Sequence, residues 1–117
     1  MPLIRRIKNS YKIQSASFIL WLIIFGFGSV HAEEFKVGMK NWEFNPQNLT
    51  VKAGDAVLWI NDDDSHHTVT FEDQSIKSSE NIKPERQFSI TFEKAGEYKY
   101  YCKYHRDNGM WGKIVVK

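Results

Sequence analysis

Three residue types that bind soft metals fall close together in the C-terminal part of this chain. Cys102, His105 and Met110 lie in the run Cys-Lys-Tyr-His-Arg-Asp-Asn-Gly-Met, just before the apolar stretch Ile114-Val115-Val116. A second imidazole is available upstream, in Ser65-His66-His67-Thr68-Val69. One thiolate, two imidazoles and a weak thioether suit copper cycling between Cu(II) and Cu(I), because the soft Cu(I) state favours sulfur and imidazole serves both states. Such a set implies transfer of single electrons, with no bond making by the protein itself.

Each residue also has an ordinary reading. A lone His is more often a hydrogen-bonded core residue, a lone Cys a buried apolar one, and a lone Met core filler. Zinc also binds Cys and His, but Met is a poor zinc ligand and no carboxylate or open water position accompanies the set. A Cys–His nucleophilic pair would leave His67 and Met110 unused, and no oxyanion-binding loop is evident. The joint spacing therefore favours copper, with His67, Cys102, His105 and Met110 as the expected ligands.

Strand parity chooses between the adjacent histidines. Residues two apart in a strand point the same way. His67, Val69 and Phe71 form an apolar set expected to face inward; His66, Thr68 and Thr70 form the other face. Cys102 shares the inward face of Tyr98 and Tyr100. His67 is expected to be the buried imidazole. His105, on a loop, is expected to be the exposed edge through which an electron leaves.

The elements that position these residues read as strands. Phe35/Val37/Met39, Leu49/Val51, Phe88/Ile90/Phe92 and Tyr98/Tyr100/Cys102 alternate with polar or small residues, and Val57-Leu58-Trp59-Ile60 is apolar on both faces, as in a central strand. Period-two alternation of aromatic and β-branched residues argues for strands, and nothing after residue 32 carries a helical stripe. Ala53-Gly54-Asp55, Ala95-Gly96-Glu97 and Asn45-Pro46 mark turns. Residues 72–87 are polar with no clear period, and are expected to hold a short edge strand or a helical turn. Several short strands with regular turns predict an all-β sandwich or barrel in a single domain.

The N-terminal part reads differently. Arg5, Arg6, Lys8 and Lys12 precede an apolar run, Phe18 to Val30, and Val30-His31-Ala32 offers small residues where a signal peptidase reads. Residues 1–32 are thus expected to be a secretory signal peptide, with an uncleaved anchor as the alternative, although the run is shorter than the ~18 residues of a membrane span. No Cys near residue 32 offers a lipoprotein anchor. Of 16 basic and 14 acidic residues, four basic ones lie in this segment, so residues 33–117 carry 12 basic and 14 acidic groups, a formal charge of −2. That balance gives no reason to expect nucleic-acid binding. The mature part is near the lower limit for a self-sufficient core. Its single Cys cannot form an internal disulfide, which leaves a free thiol, an intermolecular bridge or a metal ligand, the last needing no disulfide partner in an exported protein.

With these residues in place, the chain resembles the cupredoxins, and within them the small plastocyanin- and amicyanin-like proteins. The resemblance covers nearly all of residues 35–117. It is carried by Phe44-Asn45-Pro46, Lys52-Ala53-Gly54-Asp55-Ala56-Val57, Trp59-Ile60-Asn61, His67-Thr68-Val69, Tyr98 through His105, and Gly109-Met110-Trp111-Gly112-Lys113-Ile114. The Cys-x2-His-x4-Met spacing looks like plastocyanin; Trp59-Ile60-Asn61 looks more like amicyanin. The resemblance implies a Greek-key β-sandwich with one type 1 copper at one end, His67, Cys102 and His105 as strong ligands and Met110 as the weak axial one. Two positions depart from the family pattern. Thr68 stands where Asn commonly ties the two ligand loops together, and Tyr104 stands where Pro commonly stiffens the loop before the second His.

Two features near the site carry further expectations. Trp42, Met39 and Trp111 are either an apolar docking surface around His105 or core. Asp62-Asp63-Asp64 either steers a basic partner by charge or is a solvated turn. The expected protein is a periplasmic, monomeric blue copper carrier whose partners are redox proteins such as a c-type cytochrome, a dehydrogenase or an oxidase. The alternative is a copper chaperone or copper-resistance protein, which would favour an exposed, Met-rich site; only three Met occur in the chain.

Overall fold

The computed structural model describes residues 31–117. The expected signal segment lies outside them except for its last two residues. Ala32–Lys117 is one compact unit. It contains eight strands: β1 Glu34–Lys40, β2 Glu43–Asn45, β3 Asn48–Val51, β4 Ala56–Asn61, β5 Thr70–Phe71, β6 Gln87–Thr91, β7 Gly96–Tyr101 and β8 Trp111–Val116. A single 3₁₀ turn, Arg106–Asn108, is the only helical element among the described residues.

The strands form two four-stranded sheets, ordered β2-β1-β4-β6 and β3-β8-β7-β5. Both are mixed. β1 runs parallel to β4 and β3 parallel to β8, while β4–β6 and β7–β8 are antiparallel. Of the sandwich and the barrel that the alternation allows, the protein is the sandwich, as the resemblance implies. β4 is central in its sheet, as its apolar run implied, and alternates between buried and half-covered residues along its length.

One core joins the two sheets. Val37, Met39, Val57 and Trp59 enter it from the first sheet, and Val51, Tyr98, Tyr100, Ile114 and Val116 from the second. Trp59 is its hub, with ring centroids 5.4 Å from Tyr100, 6.0 Å from Phe71 and 6.5 Å from Phe92. Edge-on aromatic pairs of this kind add roughly 0.5–1.5 kcal/mol each beyond the area they bury. Met39 is core, which settles one of the two expectations for that residue. Burial pushes the Tyr100 phenol up to about 12, so it stays neutral.

Residues 72–86 contain neither of the expected elements, and residue 87 opens β6. They run beside β5 and pair by a single bridge, Ile82 with His67. Serine hydroxyls replace a strand partner: Ser79 Oγ accepts from Val69 N–H at 2.8 Å and Ser78 Oγ from Phe71 N–H at 2.9 Å. A polar segment with no alternation can satisfy an edge in this way without becoming one.

Two positions make testable demands on this packing. Gly112 lies opposite Tyr100 in the β7–β8 pair, and a Cβ there would collide with the Tyr100 ring at Cζ and Oη. Gly112→Ala should therefore destabilise the fold by about 1–3 kcal/mol, the usual cost of overpacking, read by urea unfolding of the metal-free protein. Asp55 accepts Glu33 N–H at 2.9 Å and Lys52 N–H at 2.8 Å, and these bonds, Glu33 first, hold its carboxyl below the ordinary range. A depressed folded pKa stabilises above the unfolded value near ~3.9 and loses that stabilisation as pH falls through the folded value. Asp55→Asn should lower the thermal midpoint at neutral pH and flatten its decline below pH ~4, measured by calorimetry across pH.

Candidate metal centre

The site forms where three connections meet at one end of the sandwich. Cys102 follows directly on β7, on the inward face shared with Tyr98 and Tyr100, as parity predicted. The chain then closes on itself before β8. His105 N–H donates to Cys102 O at 3.2 Å, Met110 N–H to His105 O at 3.2 Å and Cys102 N–H to Met110 O at 3.1 Å. Gly109, at φ 85°, supplies the left-handed residue that ends the 3₁₀ turn and sends the chain back. Cys102, His105 and Met110 are thereby held by backbone bonds around one small loop, and all three are buried.

His67 reaches the same point from the connection that leads into β5, the edge strand beside β7. Its N–H donates to Ile82 O at 3.1 Å and its carbonyl accepts Ile82 N–H at 2.8 Å. Asn61, fully buried at the end of β4, shapes the connection: its Nδ2 donates to Ser65 O and to Ile82 O, both at 2.9 Å, and its Oδ1 accepts Asp63 N–H at 2.9 Å.

The donor atoms converge. Cys102 Sγ lies 3.6 Å from His67 Nδ1 and 3.6 Å from His105 Nδ1, and all three donors fall within 4.8 Å of one another. This is the only such cluster among the described residues. With bonds of about 2.0 Å to imidazole and about 2.3 Å to thiolate, a three-coordinate ion would hold sulfur and nitrogen roughly 3.7 Å apart. The pocket therefore fits an ion of this class. His66, which parity assigned outward, is exposed and takes no part.

Hydrogen bonds orient the donors. His67 Nε2 donates to Asp63 Oδ2 at 2.7 Å. A carboxylate only accepts, so Nε2 carries a proton and Nδ1 is the atom turned to sulfur. Thr68 N–H points at Cys102 Sγ at 3.4 Å. Burial pushes the Cys102 thiol up, but hydrogen bonds from His67, Thr68 N–H, Tyr104 N–H and His105 outweigh it and bring the thiol down to about 6. Burial likewise opposes the charged form of His67, yet its bonds to Cys102 and Asp63 raise it above the ordinary value. Asp63 is lowered: burial works against its charge, and bonds from His67, Trp42 N–H and Asn41 N–H overcome it.

Several expectations change here. Thr68 was placed on the outward face but is buried, because residues 66–69 lie outside the regular strands. Its hydroxyl accepts Lys103 N–H at 3.0 Å and so ties the two ligand loops. Tyr104, in the place of a stiffening Pro, hydrogen-bonds through its hydroxyl to Asn81 Oδ1 and links the loop to residues 72–87. Arg106 packs its guanidinium over Tyr101 and Trp111, 4.5 and 5.1 Å from the ring centroids. His105 is more exposed than His67, as expected, but only 8% of it is open. Trp42 covers it, with ring centroids 4.0 Å apart and planes 26° from parallel. The exposed apolar groups at this end are Trp42 and Tyr104, at 45% and 47%.

Sequence reasoning did not single out Asn61 or Asp63 as groups that orient the site. The Asp62-Asp63-Asp64 run gave no sign of which acid turns inward. A polar residue at the end of an apolar strand was the available signal for Asn61.

Comparison with known proteins agrees with this geometry. A family model described as a cupredoxin-like domain matches residues 15–116. Chloroplastic plastocyanin of Tetradesmus obliquus is 29% identical over 126 aligned positions, spanning 95% of this chain and 87% of the relative. Amicyanin of Paracoccus versutus is 30% identical over 92 positions, spanning 75% of this chain and 68% of the relative. The solved structure of a reduced amicyanin variant, 31% identical, superposes with a TM-score of 0.67 over 76% of this chain and 87% of that one.

The low thiol value is directly measurable. In metal-free protein the ultraviolet thiolate absorption of Cys102 should appear with a midpoint near pH 6, against ~8.5 for an ordinary Cys. Cys102→Ser should abolish the transition.

Proposed function

This chain belongs to the cupredoxin-like family, and from that premise we propose that it is a type 1 copper protein carrying single electrons between redox partners. His67, Cys102 and His105 would be the strong ligands and Met110 the weak axial one. When bound, copper supplies the one-electron step between Cu(II) and Cu(I). The observation that carries the reading is the convergence of three buried donors within 4.8 Å at the end of a closed core.

The protein's own residues account for the rest of the task. Backbone bonds around Cys102, His105 and Met110 hold the loop in one shape, which limits how far the ligands must move when charge changes. Thr68 N–H stabilises negative charge on sulfur. Burial of all four residues excludes water and resists exchange of metal with solvent. That burial favours a carrier over a chaperone or copper-resistance protein, whose task requires an accessible ion. Trp42 and Tyr104, both in ring contact with His105, offer an apolar surface on which a c-type cytochrome, a dehydrogenase or an oxidase could dock.

Residues 1–32 act as a secretory signal in this reading and deliver residues 33–117 to the periplasm. Two features support the boundary: the compact unit begins at Ala32, and β1 begins at Glu34. Cleavage after Ala32 would make the Glu33 nitrogen an ammonium 2.9 Å from Asp55 Oδ1, converting a hydrogen bond into an ion pair.

Copper-loaded protein should be blue through intense thiolate-to-copper absorption, and Cys102→Ser should be colourless. The reduced protein should pass electrons to a c-type cytochrome faster than it loses copper to a chelator, followed by stopped-flow absorbance. A colourless Cu(II) form would sink the ligand assignment. Copper loss outpacing electron transfer would favour the delivery role.

A further inference from the structure

Trp42 occupies a backbone position that a large side chain rarely holds. The two-residue turn joining β1 to β2 has φ 55° at Asn41 and 58° at Trp42, with Lys40 paired to Glu43 across it. A turn of this type needs left-handed backbone at both central residues, which Asn-Gly provides at least cost. A bulky residue there is strained, and such strain persists where neighbouring groups over-determine it. The determining group is Asp63. Its Oδ1 accepts Asn41 N–H at 2.8 Å and its Oδ2 accepts Trp42 N–H at 3.1 Å. The same Oδ2 accepts the Nε2 proton of His67 at 2.7 Å. The turn held in this way lays the Trp42 indole on the ring of His105.

We propose that Asp63 and Trp42 form one positioning unit that fixes both imidazoles of the metal centre, His67 by direct hydrogen bond and His105 through the strained turn and its stacked indole. The proposal rests on the reading of His67 and His105 as copper ligands. The two histidines belong to connections far apart in the chain, and each could turn about its own side-chain bonds. A single carboxylate limits both. It holds the His67 ring at the nitrogen opposite the one facing sulfur, and it keeps an aromatic face against His105 so that this ring lies flat beneath it. Strain at Trp42 is the cost of placing an indole, rather than a glycine, where that stacking occurs.

The test compares wild type with Trp42→Gly, Trp42→Phe, Asp63→Ala and the Asp63→Ala/Trp42→Gly double variant. Glycine suits the positive φ at position 42, so Trp42→Gly removes the ring without disturbing the turn. In proton NMR spectra of the metal-free and Cu(I) forms, His105 ring protons should carry a ring-current shift from the indole. That shift should be lost in Trp42→Gly, retained in Trp42→Phe, and lost in Asp63→Ala even though Trp42 is still present. Release of Cu(I) to excess chelator should rise at least ~10-fold in Asp63→Ala, as for other partners of metal-binding histidines, and less in Trp42→Gly. The double variant should release copper no faster than Asp63→Ala, because loss of the carboxylate already frees the indole. Persistence of the His105 shift in Asp63→Ala, or multiplying effects in the double variant, would overturn the unit. Wild type that takes up no copper would instead overturn the ligand reading, while the metal-free spectra would still decide whether Asp63 holds Trp42 on His105.

Discussion

A thiolate and two imidazoles share a small dry volume at the end of the sandwich, and the surrounding structure answers the cost of putting them there. Polar groups taken from water are expensive unless each finds a partner. Here they do. Sulfur faces two ring nitrogens and the Thr68 N–H, and the far nitrogen of His67 meets Asp63. The backbone around the loop bonds to itself. The sulfur keeps two partners if one is lost, but Asp63 is the partner of the far nitrogen of His67, and its removal would leave a buried ring nitrogen without one.

The sandwich and the loops divide this work. The strands supply rigidity and direction: β7 aims Cys102 inward, β4 ends in Asn61, and the Trp59–Tyr100 contact locks the two sheets just beneath the site. The loops supply the donors and their partners. Asn61 is where the two systems join. It is buried, it belongs to a core strand, and every hydrogen bond of its side chain goes to a loop. Packing of the core is thus transmitted to the geometry around His67 without any flexible intermediary.

What the sequence disclosed follows from which signals are periodic. Strand parity placed Cys102 beside Tyr98 and Tyr100, because side chains in a pleated segment alternate whatever the surroundings. The same rule misplaced Thr68, since the segment between Ser65 and Thr70 makes only one bridge and is not held to a pleat. Asp63 was illegible for a different reason. Three identical acids in a turn differ only in the direction that the backbone gives each, and that direction depends on Asn61 and on a turn over twenty residues upstream. Trp42 could be recognised as aromatic and near the site, but its contact with His105 depends on left-handed backbone that tryptophan itself does not favour.

The chain order of these groups has a consequence for how the site comes into being. Cys102, His105 and Met110 all lie in the last strand-and-loop portion, and β8, which closes it, is flanked by β3 on one side and β7 on the other. A polypeptide emerging from its N-terminus can pair β1 with β2 and β4, but the second sheet has no interior until β8 arrives. β5 pairs with β7 and so can bring His67 to Cys102 without it, but the loop from Cys102 through His105 to Met110 has no strand to return into until β8 is in place. The pocket therefore depends on a strand that carries none of its donors, and a chain that stops short of β8 holds the four residues without the pairing that groups them.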